Sequence, residues 1–187
     1  MIAGPNGAGK TTTALEIMTK GPDLHEFINT DEIARGLAPL HPESVALSAS
    51  KLMIERLKKL LLNEKSFAFE TTAAGKNYVK HLEMAKSNGY EINLIFLWLA
   101  SHKQAVQRVA QRVKQGGHHV PEETIIRRYY AGIKNLMTLY LPLADVAIIV
   151  NNSAKERKLI ARKEKKMPVT ILEKNVWGQL EKCAYER

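Results

Sequence analysis

The sequence predicts an α/β fold with a mostly parallel sheet and helices on both of its faces. Short apolar segments alternate with amphipathic helical segments along the chain, which is typical of successive βαβ units. The segment 92–99 is apolar almost throughout, as expected of a strand that is buried on both faces of a parallel sheet. A length of 187 residues suits one such domain, and we expect residues 1–187 to form it.

The first half of the chain alternates strands and helices after a very short leading strand. Pro42 and Glu43 suit the first turn of a long helix. Mainly apolar residues before Glu70 indicate a strand that ends in a carboxylate, and Gly89 suits the end of the helix that follows it. The predicted elements are a strand at 1–3, a helix at 11–20, a strand at 26–29 that runs into 30–36, a long helix at 42–63, a strand at 66–70 and a helix at 76–87.

The second half of the chain contains a predicted lid around residues 108–128. Its centre is the break 116–121, which reads Gly-Gly-His-His-Val-Pro, and Pro121 or Glu122 begins the next helix. Residues 155–187 are predicted to form a C-terminal hairpin and a short helix. The predicted elements are a strand at 92–99, a helix at 102–115, a helix from 121 or 122, a strand at 146–150, a hairpin at 159–164 and 169–173, and a helix from 175.

The composition favours a cytoplasmic protein that binds anions. Hydrophobic residues make up 45% of the chain and the formal net charge is +9. Cys183 has no cysteine partner, which fits a reducing compartment, and the apolar runs are too short to span a membrane. Nucleotides, nucleic acid or an acidic protein would match the charge. The basic run at 155–166 lacks interleaved aromatic residues, which favours a solvated hairpin over a nucleic-acid surface.

A phosphate-binding loop stands at the start of the chain. Residues 4–11 fit the pattern G-x-x-x-x-G-K-[ST], in which backbone N–H groups surround phosphate oxygens. Lys10 would reach the β- and γ-phosphates, and the Thr11 hydroxyl would face Mg²⁺. We therefore expect ATP and Mg²⁺ as cofactors and a three-layer P-loop NTPase fold. The predicted nucleotide-binding residues are Gly4, Pro5, Asn6, Gly7, Ala8, Gly9, Lys10, Thr11 and Thr12.

Carboxylates follow two of the predicted strands. Ligands of open α/β sheets bind beyond the carboxyl ends of the strands, so the rule gathers the loop, Asp31, Glu70 and 151–153 along one edge. Asp31 is a candidate general base for a substrate hydroxyl, with a helix N-cap as the alternative. Glu70 would reach Mg²⁺ through water or bind the acceptor, and Thr72 beside it would bind substrate or cap a helix. The chain has no Asp-Glu pair there to activate water, which favours transfer over hydrolysis.

Arginines lie on both sides of the predicted lid. A closing lid delivers guanidinium groups to the γ-phosphate and excludes water. Arg112 and Arg128 are nearest to the break and are the predicted charge-neutralising pair, with Arg108 next and a solvated surface as the alternative. His118 is predicted to contact phosphate or substrate. The amides and carbonyls of 151–153 offer a candidate site for an adenine.

These segments together resemble one known family. Residues 3–12, 27–34, 69–72 and 112–129 are similar to the corresponding stretches of the zeta-toxin family of P-loop kinases, in its chromosomal branch of predicted ATPases or kinases. The resemblance covers roughly residues 1–153. It implies phosphorylation of a hydroxyl of UDP-N-acetylglucosamine or a related UDP-amino sugar, and an antitoxin partner. It also implies that Asp31 is the base, Glu70 an acceptor-site residue, and Arg112 and Arg128 the phosphate-neutralising pair.

The sequence therefore predicts a kinase that moves the γ-phosphate of ATP to a hydroxyl of a small acceptor. Two alternatives stay open. The acceptor is a nucleoside or a nucleic-acid end, which the positive charge permits, or the protein is an ATP-binding switch that acts on a protein partner without catalysis.

Overall fold

The computed structural model describes residues 1–20, 24 and 26–185. The chain forms two compact units, a first unit of residues 1–10 and 72–187 and a second unit of residues 11–71. The strands are β1 (Ile2–Ala3), β2 (Glu26–Ile28), β3 (Phe67–Thr71), β4 (Asn93–Trp98), β5 (Val146–Asn151), β6 (Lys158–Lys163) and β7 (Val169–Ile171). The helices are α1 (Lys10–Lys20), α2 (Thr30–Leu37), α3 (Ala46–Leu62), α4 (Val79–Ser87), α5 (His102–Lys114), α6 (Glu122–Asn135), α7 (Leu141–Leu143) and α8 (Lys174–Tyr185).

The first unit is built on a sheet whose parallel part is β1, β4 and β5. Ile2 of β1 pairs with Ile95, and β4 pairs with β5 in parallel from Asn93 opposite Val146 to Trp98 opposite Asn151. The C-terminal hairpin of β6 and β7 continues this sheet in antiparallel pairing beyond β5. The predicted parallel strands and the antiparallel C-terminal hairpin are thus confirmed.

Large apolar side chains from the strands and helices of the first unit form its core. Phe96 of β4, Ile149 of β5 and Ile160 of β6 are fully buried. On the helices, Leu180 of α8 is fully buried, and α8 packs on α6 and β6. The near-continuous apolar run in β4 is therefore explained by burial on both faces.

The second unit contains the parallel pair β2 and β3 with the helices α2 and α3. Phe27 lies opposite Ala68 in the parallel register. The helix α3 packs on α2 and buries Met53 and Leu57, and its Arg56 donates hydrogen bonds to the Glu26 carboxylate at the start of β2.

Several predicted boundaries differ from the structure. The helix predicted at 42–63 begins with the 3₁₀ turn Pro42–Val45, and α3 proper begins only at Ala46. The helix predicted from 76 begins at Val79. After α6 the chain continues through the π turn Leu136–Tyr140 into α7, which the sequence did not predict. Among the described residues, no helix is long and apolar enough to cross a membrane.

Candidate active site

The phosphate loop leaves β1 through glycines in conformations that other residues rarely adopt. Gly4, Gly7 and Gly9 have φ values of 143°, 76° and 82°. A Cβ on Gly4 would lie 2.3 Å from the Leu97 carbonyl oxygen, so the loop can run this close to β4 only with glycine at that position. The glycine spacing of the motif thus has a steric cause in this fold.

Lys10 lies over the loop that precedes it. Its Nζ donates a hydrogen bond of 3.0 Å to the Pro5 carbonyl, and the Ala8 N–H donates to the same carbonyl at 3.2 Å. The lysine is only 6% exposed. Asn6 is 5% exposed, and its Oδ1 has no hydrogen-bond partner in the described part of the chain. Two hydrogen bonds to the Pro5 carbonyl therefore hold the loop together, and one of them fixes the Lys10 ammonium group against it.

Side chains from α5 and from the end of β5 brace the loop from outside. Asn152 Nδ2 donates a 2.7 Å hydrogen bond to the Ala8 carbonyl. Arg108 Nη2 donates to the Ser153 carbonyl at 3.0 Å, and its Nη1 lies 3.5 Å from the Gly7 carbonyl oxygen. Arg108, predicted to bind substrate, here contacts loop carbonyls of its own unit.

The stretch 151–153, predicted as a candidate site for an adenine, makes internal hydrogen bonds. Asn151 Oδ1 accepts from the Ser153 N–H at 3.0 Å, and Asn152 is engaged with the phosphate loop as described. The Ser153 hydroxyl accepts from the Ala100 N–H at 2.8 Å. These hydrogen bonds position the phosphate loop and the start of α5.

In the second unit, Glu70 at the end of β3 accepts hydrogen bonds from two polar side chains. The Thr11 hydroxyl donates to Glu70 Oε2 at 2.7 Å, and Asn29 Nδ2 donates to the same oxygen at 3.0 Å. Asn29 Oδ1 in turn accepts from the Asp31 N–H at 2.9 Å. Thr11, Glu70 and Asp31 were predicted as site residues, and the structure links them through Asn29.

Asn29 is the N-cap of α2, so the alternative interpretation of Asp31 as the cap is wrong. Asp31 lies in the first helical turn and is half-buried. Within the described residues its carboxylate makes no hydrogen bond or ion pair. It is thus left available for chemistry. Sequence reasoning missed Asn29, although an Asn between a strand and Thr-Asp-Glu is a recognisable N-cap signal.

The oxygen donors of this cluster suit Mg²⁺. This ion prefers oxygen ligands, keeps several waters and is usually held by one or two carboxylates together with substrate phosphates. Thr11 Oγ1 and the Glu70 carboxylate, 2.7 Å apart, supply such donors. The described residues contain no group of three or more His, Cys, Asp or Glu placed to hold a metal, so the nucleotide phosphates would have to complete the coordination.

The predicted lid residues hold one another. Arg112 Nη2 donates to the His118 carbonyl at 2.9 Å, and the Gly117 N–H donates to the Arg112 carbonyl at 2.9 Å. Arg112 Nε is buried without a partner in the part of the chain that the structure describes. Arg128 is half-buried on α6. Thr72, which was also predicted to bind substrate, is half-buried in the loop that follows β3.

The glycine loop between β1 and α1, the lysine at its rim and the Thr-Glu pair define a P-loop nucleotide-binding protein. A family comparison makes this more specific. The chain belongs to the AAA domain family AAA_33, whose model matches residues 1–129.

Similar proteins support the same fold. An uncharacterized protein of Haemophilus influenzae is 27% identical over 127 residues, which are 67% of this chain and 88% of that protein. The AvrRxo1-ORF1:AvrRxo1-ORF2 complex with sulphate ions has a TM-score of 0.74 at 15% identity, covering 96% of this chain and 62% of that chain. The same complex with ATP has a TM-score of 0.71 at 16% identity, again covering 96% and 62%.

The PezAT chromosomal toxin-antitoxin system of Streptococcus pneumoniae has a TM-score of 0.61 at 17% identity, covering 99% of this chain and 85% of that chain. At such identities the likeness shows the fold alone. It confirms the predicted P-loop NTPase fold.

Proposed function

We propose that the protein is an ATP- and Mg²⁺-dependent kinase that transfers the γ-phosphate to a hydroxyl of a small acceptor, a UDP-amino sugar as in the zeta toxins. One observation carries this proposal. Asn29 caps α2 and leaves the Asp31 carboxylate without a hydrogen bond in the described residues, while Glu70 is occupied by Thr11. This arrangement supports a division of roles in which Glu70 would hold the cation with Thr11 and Asp31 would take the substrate proton.

The proposed reaction uses these groups in turn. The loop N–H groups and Lys10 bind the β- and γ-phosphates. Thr11 with Glu70 would hold Mg²⁺, which would neutralise phosphate charge. Asp31 accepts the proton of the acceptor hydroxyl. The acceptor oxygen forms a bond to the γ-phosphorus while the bond between that phosphorus and the bridging oxygen breaks, and ADP leaves with the electron pair.

The lid arginines would reach the phosphate when the lid closes. Arg112 now donates to the His118 carbonyl through Nη2, and closure of the lid would bring its guanidinium group to the transferred phosphate. Lid closure of this kind is common in kinases and excludes water from the reaction. We assign this role to Arg112 and Arg128, and substrate contacts to Arg108, His118 and Thr72.

An acceptor screen tests the reaction. The protein is incubated with Mg²⁺ and ATP labelled at the γ-phosphate, together with UDP-N-acetylglucosamine, nucleosides and oligonucleotides with free 5′-hydroxyls. We expect label on the UDP-sugar. Label on an oligonucleotide or nucleoside alone would support the alternative acceptors, and ATP binding without transfer to any of these acceptors would support the switch module.

Asp31→Asn tests the assigned base. The amide keeps the size of the side chain but cannot accept the proton, so we expect transfer to fall by at least about 100-fold. ATP affinity, measured by titration calorimetry, should stay within about twofold because the substitution leaves the phosphate loop, Lys10 and Thr11 unchanged. Transfer at the wild-type rate would exclude Asp31 as the base.

We also propose that the protein acts in the cytoplasm. The lone Cys183 fits the cytoplasm. The PezAT complex is a toxin-antitoxin system, so an antitoxin is a reasonable partner to seek for this chain.

A further inference from the structure

The strand β7 forms an open edge of the sheet. It is the last strand in the sheet order, and among the described strands it pairs with β6 alone. Thr170 and Ile171 of this strand are exposed. An edge strand presents N–H and C=O groups that can pair with a further strand. The hydrogen bonds between β7 and β6 therefore determine which backbone groups remain for such a strand.

The register between β7 and β6 fixes these groups. The two strands pair in antiparallel, and the Leu172 N–H donates to the Ile160 carbonyl at 2.9 Å. Along an antiparallel pair, hydrogen-bonded and non-hydrogen-bonded residues alternate. Thr170, two positions before Leu172, is thus also bonded to β6. The N–H and C=O groups of Val169 and Ile171 point away from β6, and they have no hydrogen-bond partner within the described residues.

The residues of β7 leave this edge open. Natural edge strands are commonly protected by charged side chains, by proline or by bulges. The strand β7 consists of Val, Thr and Ile and carries no charge. Pro168 lies two positions before Thr170, so its missing N–H is on the side of β6 and does not interrupt the outer edge. The edge therefore offers the N–H and C=O groups of Val169 and Ile171 to an added strand.

Exposed apolar side chains lie next to the open edge. Met167 precedes β7, Ile171 ends it and Leu172 follows it, and all three are large apolar residues that are exposed. A strand added to β7 would place a side chain beside Ile171, and apolar pairs across two strands stabilise a sheet. The edge therefore suits an extended segment that is apolar at its centre.

Lysines lie at both ends of the edge. Lys166 precedes β7 and Lys174 follows it, and both are exposed. In the part of the chain that the structure describes, neither lysine makes an ion pair or a side-chain hydrogen bond. Lys158 at the start of β6 adds a further exposed charge at the Lys174 end, where Glu173 offsets one positive charge. Both ends of the edge thus carry a net positive charge.

These lysines disfavour a second copy of the chain as the added strand. In a symmetric antiparallel pair of β7 strands, Val169 of one copy would pair with Ile171 of the other. The same register would bring Lys166 of one copy beside Lys174 of the other at each end. Like charges directly opposite each other destabilise a sheet, whereas carboxylates at these positions would be attracted. The charges therefore favour a partner with acidic residues.

We propose that β7 binds an extended segment of a protein partner as an added strand, through the N–H and C=O groups of Val169 and Ile171. The segment carries apolar residues at its centre and acidic residues at its ends, which meet Lys166 and Lys174. In strand addition of this kind, main-chain hydrogen bonds give affinity and the side chains give specificity. The interaction uses none of the groups assigned to phosphate transfer and is independent of the proposed kinase function.

Backbone amide NMR with two peptides tests this surface. The probes are Asp-Glu-Val-Thr-Val-Glu-Asp and its basic counterpart Arg-Lys-Val-Thr-Val-Lys-Arg, both blocked at their termini. With the acidic peptide we expect saturable shifts and slower hydrogen exchange at the amides of Val169 and Ile171. The basic peptide should bind at least about 10-fold more weakly at low salt. Equal shifts with the two peptides, or no saturable shift up to about 1 mM acidic peptide, would overturn the proposal.

Two substitutions at Ile171 separate the backbone from the side chain. Ile171→Pro removes an N–H that faces outward, as proline does where it is tolerated in edge strands, and should weaken binding of the acidic peptide at least about 10-fold. Ile171→Ala keeps the N–H and should weaken binding only about 3-fold. Circular dichroism verifies that both variants are folded. Equal affinity of the two variants would show that backbone pairing does not hold the peptide.

Charge reversal tests the ends of the edge. A variant with both Lys166→Glu and Lys174→Glu should bind the acidic peptide about 10-fold more weakly and should prefer the basic peptide. Lys80→Glu, at an exposed position of α4, is the control and should keep the acidic preference. An unchanged preference in the double variant would overturn the assignment of acidic ends. Shifts of the Val169 and Ile171 amides that grow with protein concentration, without peptide, would show that a second copy occupies the edge and would overturn the proposed partner.

Discussion

At the scale of single residues, Asn29 uses both ends of its side-chain amide. Its Nδ2 donates to Glu70 and its Oδ1 accepts from the Asp31 N–H. Asn29 is 7% exposed, so neither bond is easily replaced by water. One amide thus orients the carboxylate beside Thr11 and begins the helix that carries Asp31.

Asn29→Ala should lower the free energy of unfolding by about 2–3 kcal/mol, because a helix cap and a charge-assisted hydrogen bond are lost together. Urea denaturation followed by circular dichroism measures this loss. Ser101→Ala is the matched control, since Ser101 caps α5 by accepting from the Gln104 N–H and should cost only about 1 kcal/mol. Equal losses for the two variants would contradict the double role.

Asn152 is expected to act on nucleotide affinity through one peptide group. Its bond to the Ala8 carbonyl turns the Gly9 N–H of the same peptide to the opposite side, because the peptide is planar and trans. Asn152→Ala should weaken ATP and ADP binding about 2- to 10-fold, the effect of one hydrogen bond. Asn88→Ala, at an exposed helix end, is the calorimetric control. Unchanged nucleotide affinity in Asn152→Ala would show that the hydrogen bond to Ala8 does not support nucleotide binding.

The sequence predicted the site residues that belong to local motifs, but it missed Asn29 and the contact of Asn152 with the phosphate loop. Gly4, Lys10 and Thr11 belong to one short pattern. Asn29 and Asn152 act through partners 41 and 144 positions away in the chain. No local pattern encodes such pairs, because only the folded chain brings the partners together.

At the scale of elements, the helix α6 and its π turn hold the 72–76 loop through hydrogen bonds from Asn135 and Tyr140. The strand β4 and the end of α5 near Gly116 were predictable from an apolar run and a glycine. The π turn was not, since one extra residue per turn shifts the helical periodicity without changing which residue types are used. The 3₁₀ turn before α3 was not predictable either, because proline suits the first turn of both kinds of helix.

Gly132→Ala should destabilise the protein, although alanine normally favours a helix. The new methyl group would meet the Thr72 carbonyl at 2.5 Å, and overpacking of this kind costs about 1–3 kcal/mol. Gly178→Ala in α8 meets no atom within 4 Å and should stabilise by about 0.5–1 kcal/mol. Thermal unfolding of both variants measures the difference. Changes of the melting temperature in the same direction for both variants would contradict the close contact between Gly132 and Thr72.

At the scale of the whole molecule, part of the net charge of +9 serves the fold. Lys163 Nζ donates to the carbonyls of Leu141 and Ala144 at 3.0 and 2.6 Å. Lys165 pairs with Glu91 at 2.9 Å. These basic residues of the C-terminal hairpin are engaged within the protein, which weakens the case for a nucleic-acid surface there.

We therefore expect only non-specific binding of single-stranded oligonucleotides. Their affinity should be no tighter than about 10⁻⁶ M at physiological salt and should fall steeply between 50 and 200 mM salt. Fluorescence anisotropy with a labelled oligonucleotide measures both, with and without ATP. Salt-resistant binding that competes with ATP would favour the polynucleotide kinase alternative.

The hydrogen bond between Ala8 and Asn152 also sets an order of events during synthesis. The phosphate loop leaves the ribosome before its brace, which is made 144 residues later. At about 5–20 residues per second, the nascent chain carries an unbraced loop for roughly 7–30 s. A newborn chain should therefore gain its full affinity for ATP only once β5 has been released and folded.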